Sequence, residues 1–163
     1  MMPLPSPLAV RALEIARSEL GNGETEGNNR GEDIDRYREK GRVGGVGGAG
    51  SWCAAFVSYC YCRAAKELEI ELPWKPSAGA KLLARRIAAA APRSIVVPEP
   101  GCIVCWHRGT LPIDWRGHIG ICERYDIRSD SLWTIEGNKG PQVTQYGYPA
   151  SLWRRRLCRL AVV

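Results

Sequence analysis

The segment Ser51-Trp52-Cys53-Ala54-Ala55-Phe56-Val57 begins a predicted helix, and that helix decides the fold. Apolar residues occupy almost every position from Trp52 to Cys62, so we expect the helix to be buried on all sides at the centre of a domain. Ser51 is the predicted cap of its amino end, which places Cys53 in the first turn. The preceding segment, Gly41 to Gly50, contains six glycines and therefore either is flexible or brings its backbone close to another part of the chain.

Three further helices are predicted around the central one. The pair Ser6-Pro7 is a start signal, and apolar residues at every fourth position then continue until Gly21. A short helix is predicted from Glu32 to Lys40, and another begins at Ser77 and ends before Pro92.

The second half of the chain has a different character, because short segments rich in β-branched and aromatic residues alternate with glycine and proline. The predicted strands are Ile95 to Val97, Cys102 to His107, His118 to Ile127, Leu132 to Glu136, Gln142 to Tyr146 and Leu157 to Val163. Helices followed by strands predict an α+β domain, with the helices packed on one face of a bent antiparallel sheet. The length of 163 residues predicts a single domain spanning residues 1–163.

The composition favours a globular protein with anionic partners. Apolar residues make up 45% of the chain and charged residues 25%, which excludes a disordered or collagen-like chain. The 23 basic and 17 acidic residues give a net charge of +6. No apolar run approaches the ~18 residues that a membrane-spanning helix needs. The start, Met1 to Pro7, lacks the basic residue and hydrophobic stretch of a secretory signal, so we expect synthesis in the cytoplasm.

Cys53 is the candidate nucleophile. The amide groups and dipole of a helix N-terminus favour the thiolate and lower the pKa of a thiol placed there. An inert core cysteine remains open as an alternative, because free cysteine is among the most buried residue types. The chain has seven cysteines, so at least one thiol cannot lie in an internal disulfide.

A general base for Cys53 must come from the two histidines. His118 begins a strand next to the small residue Gly120, whereas His107 ends the preceding strand. Glu136 closes a neighbouring strand, and a carboxylate there can accept the ring N–H of a histidine and fix its tautomer. Asn138 follows at a spacing of two, so that it shares a face with Glu136.

These residues resemble the CHAP family, the cysteine, histidine-dependent amidohydrolases/peptidases that cut peptidoglycan and include many phage endolysins. The resemblance rests on the order Cys53, His118, Glu136, Asn138 and on the motifs Asn28-Asn29-Arg30-Gly31, Trp52 to Val57, Gly101 to His107, Gly117 to Ile121 and Ile135 to Asn138. It implies a papain-like fold with Cys53 as nucleophile, His118 as base, Glu136 as orienting carboxylate and Asn138 as a polar support for the ring or the oxyanion. The family commonly has aspartate where this chain has Cys102, which puts in doubt any local contact made by that aspartate.

The resemblance implies a hydrolase that cleaves an amide bond of peptidoglycan through a cysteine thioester and lyses bacterial cell wall. The bond is either the N-acetylmuramoyl-L-alanine amide or one within the peptide stem. We expect a monomer that acts at the cell wall or periplasm after release or delivery, with no metal and no organic cofactor. Two alternatives stay open: another cysteine amidase or acyl transferase on the same scaffold, and a basic binding module without catalysis.

Three patterns typical of nucleotide or metal sites are also present, and we expect none of them to be used. Gly45 to Gly50 matches a dinucleotide-binding pattern, but the charged segment Arg36 to Arg42 before it does not fit a buried strand. Cys102 and Cys105 have the spacing of a zinc half-site, yet on a strand they face opposite sides. The acidic residues from Glu24 to Asp33 lack the ligand register of a calcium loop, which favours a solvated surface.

A cluster of arginines, Arg154 to Arg156 with Arg159, lies beside Trp153 and resembles a nucleic-acid-binding patch. Because these arginines interleave with strand residues, a solvated face or a contact with an anionic wall polymer is the favoured interpretation. We therefore expect peptidoglycan, and no nucleic acid, as the partner.

Overall fold

The computed structural model describes residues 4–110 and 112–163. The helices in these ranges are α1 (Pro7–Ser18), α2 (Glu32–Lys40), α3 (Cys53–Glu67), α4 (Ala80–Ala90) and α5 (Ala150–Trp153). The strands are β1 (Ile103–His107), β2 (Gly117–Asp126), β3 (Ser131–Glu136), β4 (Thr144–Tyr148) and β5 (Leu157–Ala161).

The five strands form one sheet in the order β4-β3-β2-β1-β5, and every neighbouring pair is antiparallel. The predicted α+β class, with N-terminal helices packed on an antiparallel sheet as in papain-like folds, is confirmed. The prediction of one domain over residues 1–163 stays a prediction, and residues 1–3 and 111 lie outside the described ranges.

Helix α3 lies at the centre of the core, as its apolar sequence predicts. It packs against α1, α2 and β2, and its residues Phe56 and Tyr61 are fully buried. Helix α1 begins where predicted, because the Ser6 hydroxyl accepts a hydrogen bond from the backbone N–H of Ala9 at 3.1 Å and Pro7 occupies the first turn.

The sheet buries side chains on both faces. Ile103, Ile119 and Ile135 belong to the core shared with the helices, whereas Val104, Trp106, Cys122 and Leu132 pack with Trp153 of α5. Strand residues alternate between faces, so the two sets come from the same strands. This second face carries the His118 ring, whose centroid lies 6.0 Å from that of Trp106.

Several predicted elements are wrong in detail. Ile95 to Val97 forms bends rather than a strand, and Val96 is 82% exposed, because the segment has no neighbouring strand to pair with. The strand predicted at Gln142 to Tyr146 is shifted to Thr144–Tyr148. Helix α4 begins at Ala80 instead of Ser77, whose hydroxyl accepts from the backbone N–H of Gly79.

The short helix α5 was not predicted, since four residues are too few to show a helical repeat. In the described ranges, no helix has both the length and the apolar character needed to cross a membrane.

Candidate active site

Cys53 is the first residue of α3, and 4% of its surface is exposed. The Ser51 hydroxyl lies 3.8 Å from its sulfur, but Ser51 does not cap the helix as predicted. The Ser51 hydroxyl donates instead to Oδ1 of Asn138 at 2.5 Å, and Trp52 occupies the cap position. The first backbone N–H groups of a helix have no partner within it, so the N–H of Cys53 can donate to a ligand.

His118 lies in β2 between Cys53 and Glu136. Its Nε2 atom is 2.6 Å from Oε2 of Glu136, and His118 and Glu136 are 5% and 0% exposed. Because Glu136 occupies Nε2, the Nδ1 atom is the one left to interact with the thiol of Cys53. The structure thus brings together three of the four predicted site residues in the predicted order.

The three groups shift one another's pKa toward charged forms. Burial acts to raise the pKa of Cys53, but the hydrogen bond and charge of His118, the Ser51 hydroxyl and the Ile119 backbone outweigh it, so that pKa is lowered. Burial acts to lower the pKa of His118, yet Cys53 and Glu136 raise it to about 9. The pKa of Glu136 is lowered: burial opposes ionisation, and hydrogen bonding and charge from His118 overcome it. The site therefore favours a thiolate next to an imidazolium.

The second oxygen of Glu136 is held by two hydroxyl groups. Oε1 accepts from Oγ1 of Thr134 at 2.6 Å and from the hydroxyl of Tyr148 at 2.7 Å. Gly120 leaves room for this carboxylate, because a Cβ atom there would lie 2.7 Å from Cγ of Glu136. The space predicted beside the histidine ring is thus occupied by the Glu136 side chain.

Asn138 lies at the cysteine end of the site. Its Oδ1 atom accepts from the backbone N–H of Trp52 at 2.9 Å as well as from Ser51, and its Nδ2 donates to Oδ1 of Asn29 at 2.7 Å. Its backbone has φ of 62°, a conformation that asparagine tolerates better than most residues. Among the described residues, its side-chain hydrogen bonds do not include His118. This placement favours a role in holding the segment before Cys53.

Residues upstream of the glycine loop, Gly41 to Gly50, also hold that segment, and their role was not predicted from the sequence. Arg38 is 4% exposed and donates to the carbonyl oxygens of Gly48 at 2.5 Å and Gly50 at 2.6 Å. The indole N–H of Trp52 donates to Oε1 of Glu24 at 3.1 Å. A loop of small residues has many backbone carbonyl groups without partners in regular structure. An arginine on the preceding helix is a donor that could bind them, and this was the feature from which the role of Arg38 could have been predicted.

The acidic segment from Glu24 to Asp33 contributes hydrogen bonds to the protein itself. Besides the contact of Glu24 with Trp52, Oδ2 of Asp33 accepts from the backbone N–H of Gly23 at 3.0 Å, and Oδ1 accepts from Arg36 at 2.9 Å. Over residues 4–110 and 112–163, no group of three or more His, Cys, Asp or Glu is arranged to hold a metal ion.

All seven cysteines are free thiols, and six of them are buried. They differ in their electrostatics: burial, with the charge of Glu19, raises the pKa of Cys60 well above its ordinary value, whereas that of Cys53 is lowered. Cys60 is therefore the matched control thiol in the same helix.

Comparison with known proteins gives one family. The CHAP domain matches residues 45–138, a segment that contains Cys53, His118, Glu136 and Asn138. No curated protein and no solved structure matches the chain significantly. Since the matched segment covers more than half of the chain, this protein belongs to the CHAP domain family.

Proposed function

We propose that this protein is a cysteine amidohydrolase that cleaves an amide bond of bacterial peptidoglycan. Its family suggests peptidoglycan as the substrate. The observation that carries the proposal is the 2.6 Å contact between His118 and Glu136, together with the placement of Cys53 at the first residue of α3. The lowered pKa of Cys53 and the raised pKa of His118 support a thiolate and imidazolium pair at this helix N-terminus.

The reaction begins when the Cys53 thiolate attacks the carbonyl carbon and a C–S bond forms. The backbone N–H of Cys53 donates to the oxyanion. The C–N bond then breaks as the His118 imidazolium gives its proton to the leaving amine, which leaves a thioester. Neutral His118 next removes a proton from water, the resulting hydroxide attacks the thioester, and the C–S bond breaks. The products are one amine and one carboxylate, and the thiolate and imidazolium are restored.

The bond cut is either the N-acetylmuramoyl-L-alanine amide or a peptide bond within the stem. Glycoside cleavage is disfavoured, because it needs two carboxyl groups on either side of an acetal, and the group beside Glu136 is an imidazole. We further propose that the protein is made in the cytoplasm and reaches the wall or periplasm after release or delivery, where it lyses the cell wall.

Digestion of purified peptidoglycan tests this function. We expect new free amines and matching fragments by mass spectrometry, without new reducing sugar ends, and activity that persists in a metal chelator. Cys53→Ala should give no product while keeping its circular dichroism spectrum, and Cys60→Ala should retain turnover. Reducing ends without new amines, or full activity of Cys53→Ala, would contradict the proposal.

The alternative of a non-catalytic binding module is tested by alkylation. A nucleophilic Cys53 should react with iodoacetamide near neutral pH faster than a model thiol, and reaction should abolish digestion. A non-catalytic module would show no such selective reaction, and it would not digest the wall before or after treatment.

A further inference from the structure

A cleft with a volume of about 1010 Å³ opens beside His118. Four cationic side chains line it, and they come from three separate segments: Arg108 after β1, Lys139 after β3, and Arg155 and Arg156 after α5. Cys53 does not line the cleft, so the cleft lies on the histidine side of the reacting groups. Segments far apart in sequence thus bring positive charge to one place next to the base.

No carboxylate of a described residue pairs directly with these four cations. The described residues that line the cleft include no aspartate or glutamate, and none of the four cations has a carboxylate of a described residue within 4.0 Å. Arg154, adjacent in sequence, makes an instructive contrast, because its guanidinium pairs with Oδ2 of Asp130 at 2.6 Å. The arginine cluster is thus divided: Arg154 is neutralised by the protein, whereas Arg155 and Arg156 line the cleft.

Two of the cations are held in place by neutral groups. The Lys139 ammonium lies 4.1 Å and 4.2 Å from the ring centroids of Tyr146 and Tyr148, and it donates to the hydroxyl of Tyr148. The Arg156 guanidinium donates to the carbonyl oxygen of Gly109. A carbonyl group orients a cation without cancelling its charge, so Arg156 is positioned to meet an external anion. Lys139 is shared between the cleft and the buried Glu136 carboxylate, because the Tyr148 hydroxyl that accepts from Lys139 donates to Oε1 of Glu136.

We propose that this cleft binds free carboxylate groups on the amine-side half of the substrate, so that the enzyme selects amide bonds whose leaving amine belongs to an acidic peptide. The inference rests on the proposed function and deepens it. His118 delivers its proton to the leaving amine, so the part of the substrate that carries this amine must lie next to His118. The cleft that begins there is where the rest of the leaving peptide extends.

The cleft size and its chemistry both favour a peptide carboxylate. Small-molecule sites usually have volumes of roughly 300–1,000 Å³, which suits a short peptide. The arginine fork matches the two oxygens of a carboxylate. Both candidate bonds fit this assignment, since cleavage of either releases a stem peptide with a new amino terminus and free carboxylates.

Binding to a protein that cannot turn over tests the inference separately from catalysis. In the Cys53→Ala background, we would measure by calorimetry the affinity for a synthetic stem peptide with a free amino terminus and free carboxylates. The same peptide with its carboxylates converted to carboxamides is the matched ligand. We expect the carboxylate form to bind at least about 10-fold more tightly, with an advantage that shrinks as salt is added.

Arginine variants locate the binding site within the molecule. Arg108→Gln and Arg155→Gln should each reduce the carboxylate peptide's affinity and narrow its advantage over the carboxamide form. Arg85→Gln is the matched control, because Arg85 is exposed on α4 and does not line the cleft. Thermal melts of all three variants establish that each is folded.

The outcomes separate this inference from the proposed function. Equal binding of the two peptides, or equal effects of Arg108→Gln and Arg85→Gln, would overturn the inference even if the parent protein digests peptidoglycan. Arginine-dependent selectivity for the carboxylate form would support the carboxylate site even if the parent digests nothing, and that absence of digestion would contradict the proposed function alone. Tighter binding of a single-stranded oligonucleotide than of the peptide would overturn it in favour of a nucleic acid ligand.

Discussion

Nε2 of His118 lies 2.6 Å from Oε2 of Glu136, and both side chains are almost completely removed from water. In such surroundings a carboxylate stabilises an adjacent imidazolium far more than it would at a surface. This contact leaves Nδ1 for Cys53 and ties the protonation of His118 to a negative charge on the last residue of β3.

Replacement of the two histidines by alanine should have very different effects on kcat/KM. His118→Ala should lower kcat/KM by about 10²–10⁴-fold, because it removes the proposed proton donor and acceptor. His107 ends β1 and makes no comparable contact with Cys53, so His107→Ala should keep at least about 100-fold more activity than His118→Ala. Similar residual rates in a peptidoglycan turbidity assay would mean that the base is misassigned.

Glu136→Gln should lower turnover by about 100-fold or more. Thr134 and Tyr148 both donate to one oxygen of Glu136, so the carbonyl oxygen of a glutamine should take that place and its NH₂ should face His118. The ring would then hold its proton on the wrong nitrogen. A variant with parental kcat/KM would make Glu136 a structural carboxylate only.

The pH dependence of the same variant has a defined sign. The imidazolium is lost as pH rises through the pKa of His118, which Cys53 and Glu136 raise to about 9 against the effect of burial. Removing the negative charge lowers that pKa, so the alkaline limit of activity should move to lower pH. A profile of kcat/KM against pH checks this, and a shift toward higher pH would contradict it.

Asn138→Ala should reduce kcat/KM less than Glu136→Gln does, because Asn138 orients Ser51 and Trp52 without supplying charge. Asn138→Gly is the matched variant, since glycine accepts the φ of 62° that alanine resists. Both should slow alkylation of Cys53, whereas only Asn138→Ala should carry the additional cost of backbone strain in a thermal melt. If Asn138→Ala were inactive and Glu136→Gln unaffected, their roles would be exchanged.

Gly120→Ala should impair catalysis while the protein stays folded. The new Cβ atom would lie 2.7 Å from Cγ of Glu136 and 3.2 Å from the backbone oxygen of Ile135, so the carboxylate must move away from His118. Gly79→Ala is the control, because a Cβ atom at Gly79 meets its nearest neighbour at 3.6 Å. Equal kcat/KM for the two variants would show that the position of Glu136 is not critical.

Glu19→Gln should lower the free energy of unfolding by about 3 kcal/mol at neutral pH. The buried Glu19 carboxylate accepts from Arg36, Tyr37 and Tyr59, and so links α1 to α2 and α3. Burial acts to raise its pKa, but Arg36, Asn22 and the two tyrosines lower it from 4.5 to about 2.

Because the pKa of Glu19 is lower in the folded protein than in the unfolded chain, its ionised form stabilises the fold. This stabilisation is complete at pH values above the unfolded pKa and is lost as the pH falls toward the folded pKa. The difference between the parent and Glu19→Gln should therefore shrink below pH 4.5 and continue to fall toward pH 2. Urea titrations at pH 7 and pH 3 measure it, and an equal difference at both values would contradict the pKa assignment.

Elements with a clear periodic pattern of apolar residues could be predicted from the sequence. The order of the candidate site residues along the chain could be predicted as well. The bounds of α2 agree with the prediction at both ends, because its apolar residues Ile34 and Tyr37 and its charges mark one short helix. Cys53, His118 and Glu136 could be placed because each stands at the end of an element whose type the sequence indicates.

Contacts between distant segments could not be predicted in the same way. One partner of Asn138 is Asn29, 109 residues earlier, and no local pattern relates the two. Ser51 was expected to cap α3, but Asn138 binds its hydroxyl because the turn after β3 folds back onto the segment before Cys53. These contacts are determined by tertiary packing, which here overrides the local preference of serine for the helix N-cap position.

The contacts of Arg38 with the glycine loop show that the candidate site depends on residues outside the segment matched by the family. The family match begins at residue 45, yet Arg38, Glu24 and Asn29 lie before that point and hold the backbone that leads to Cys53. The matched segment therefore contains Cys53, His118 and Glu136 but not the residues that hold the backbone before Cys53. A substitution at Arg38 or Glu24 should therefore change the reactivity of Cys53 although it leaves every residue of the matched segment unchanged.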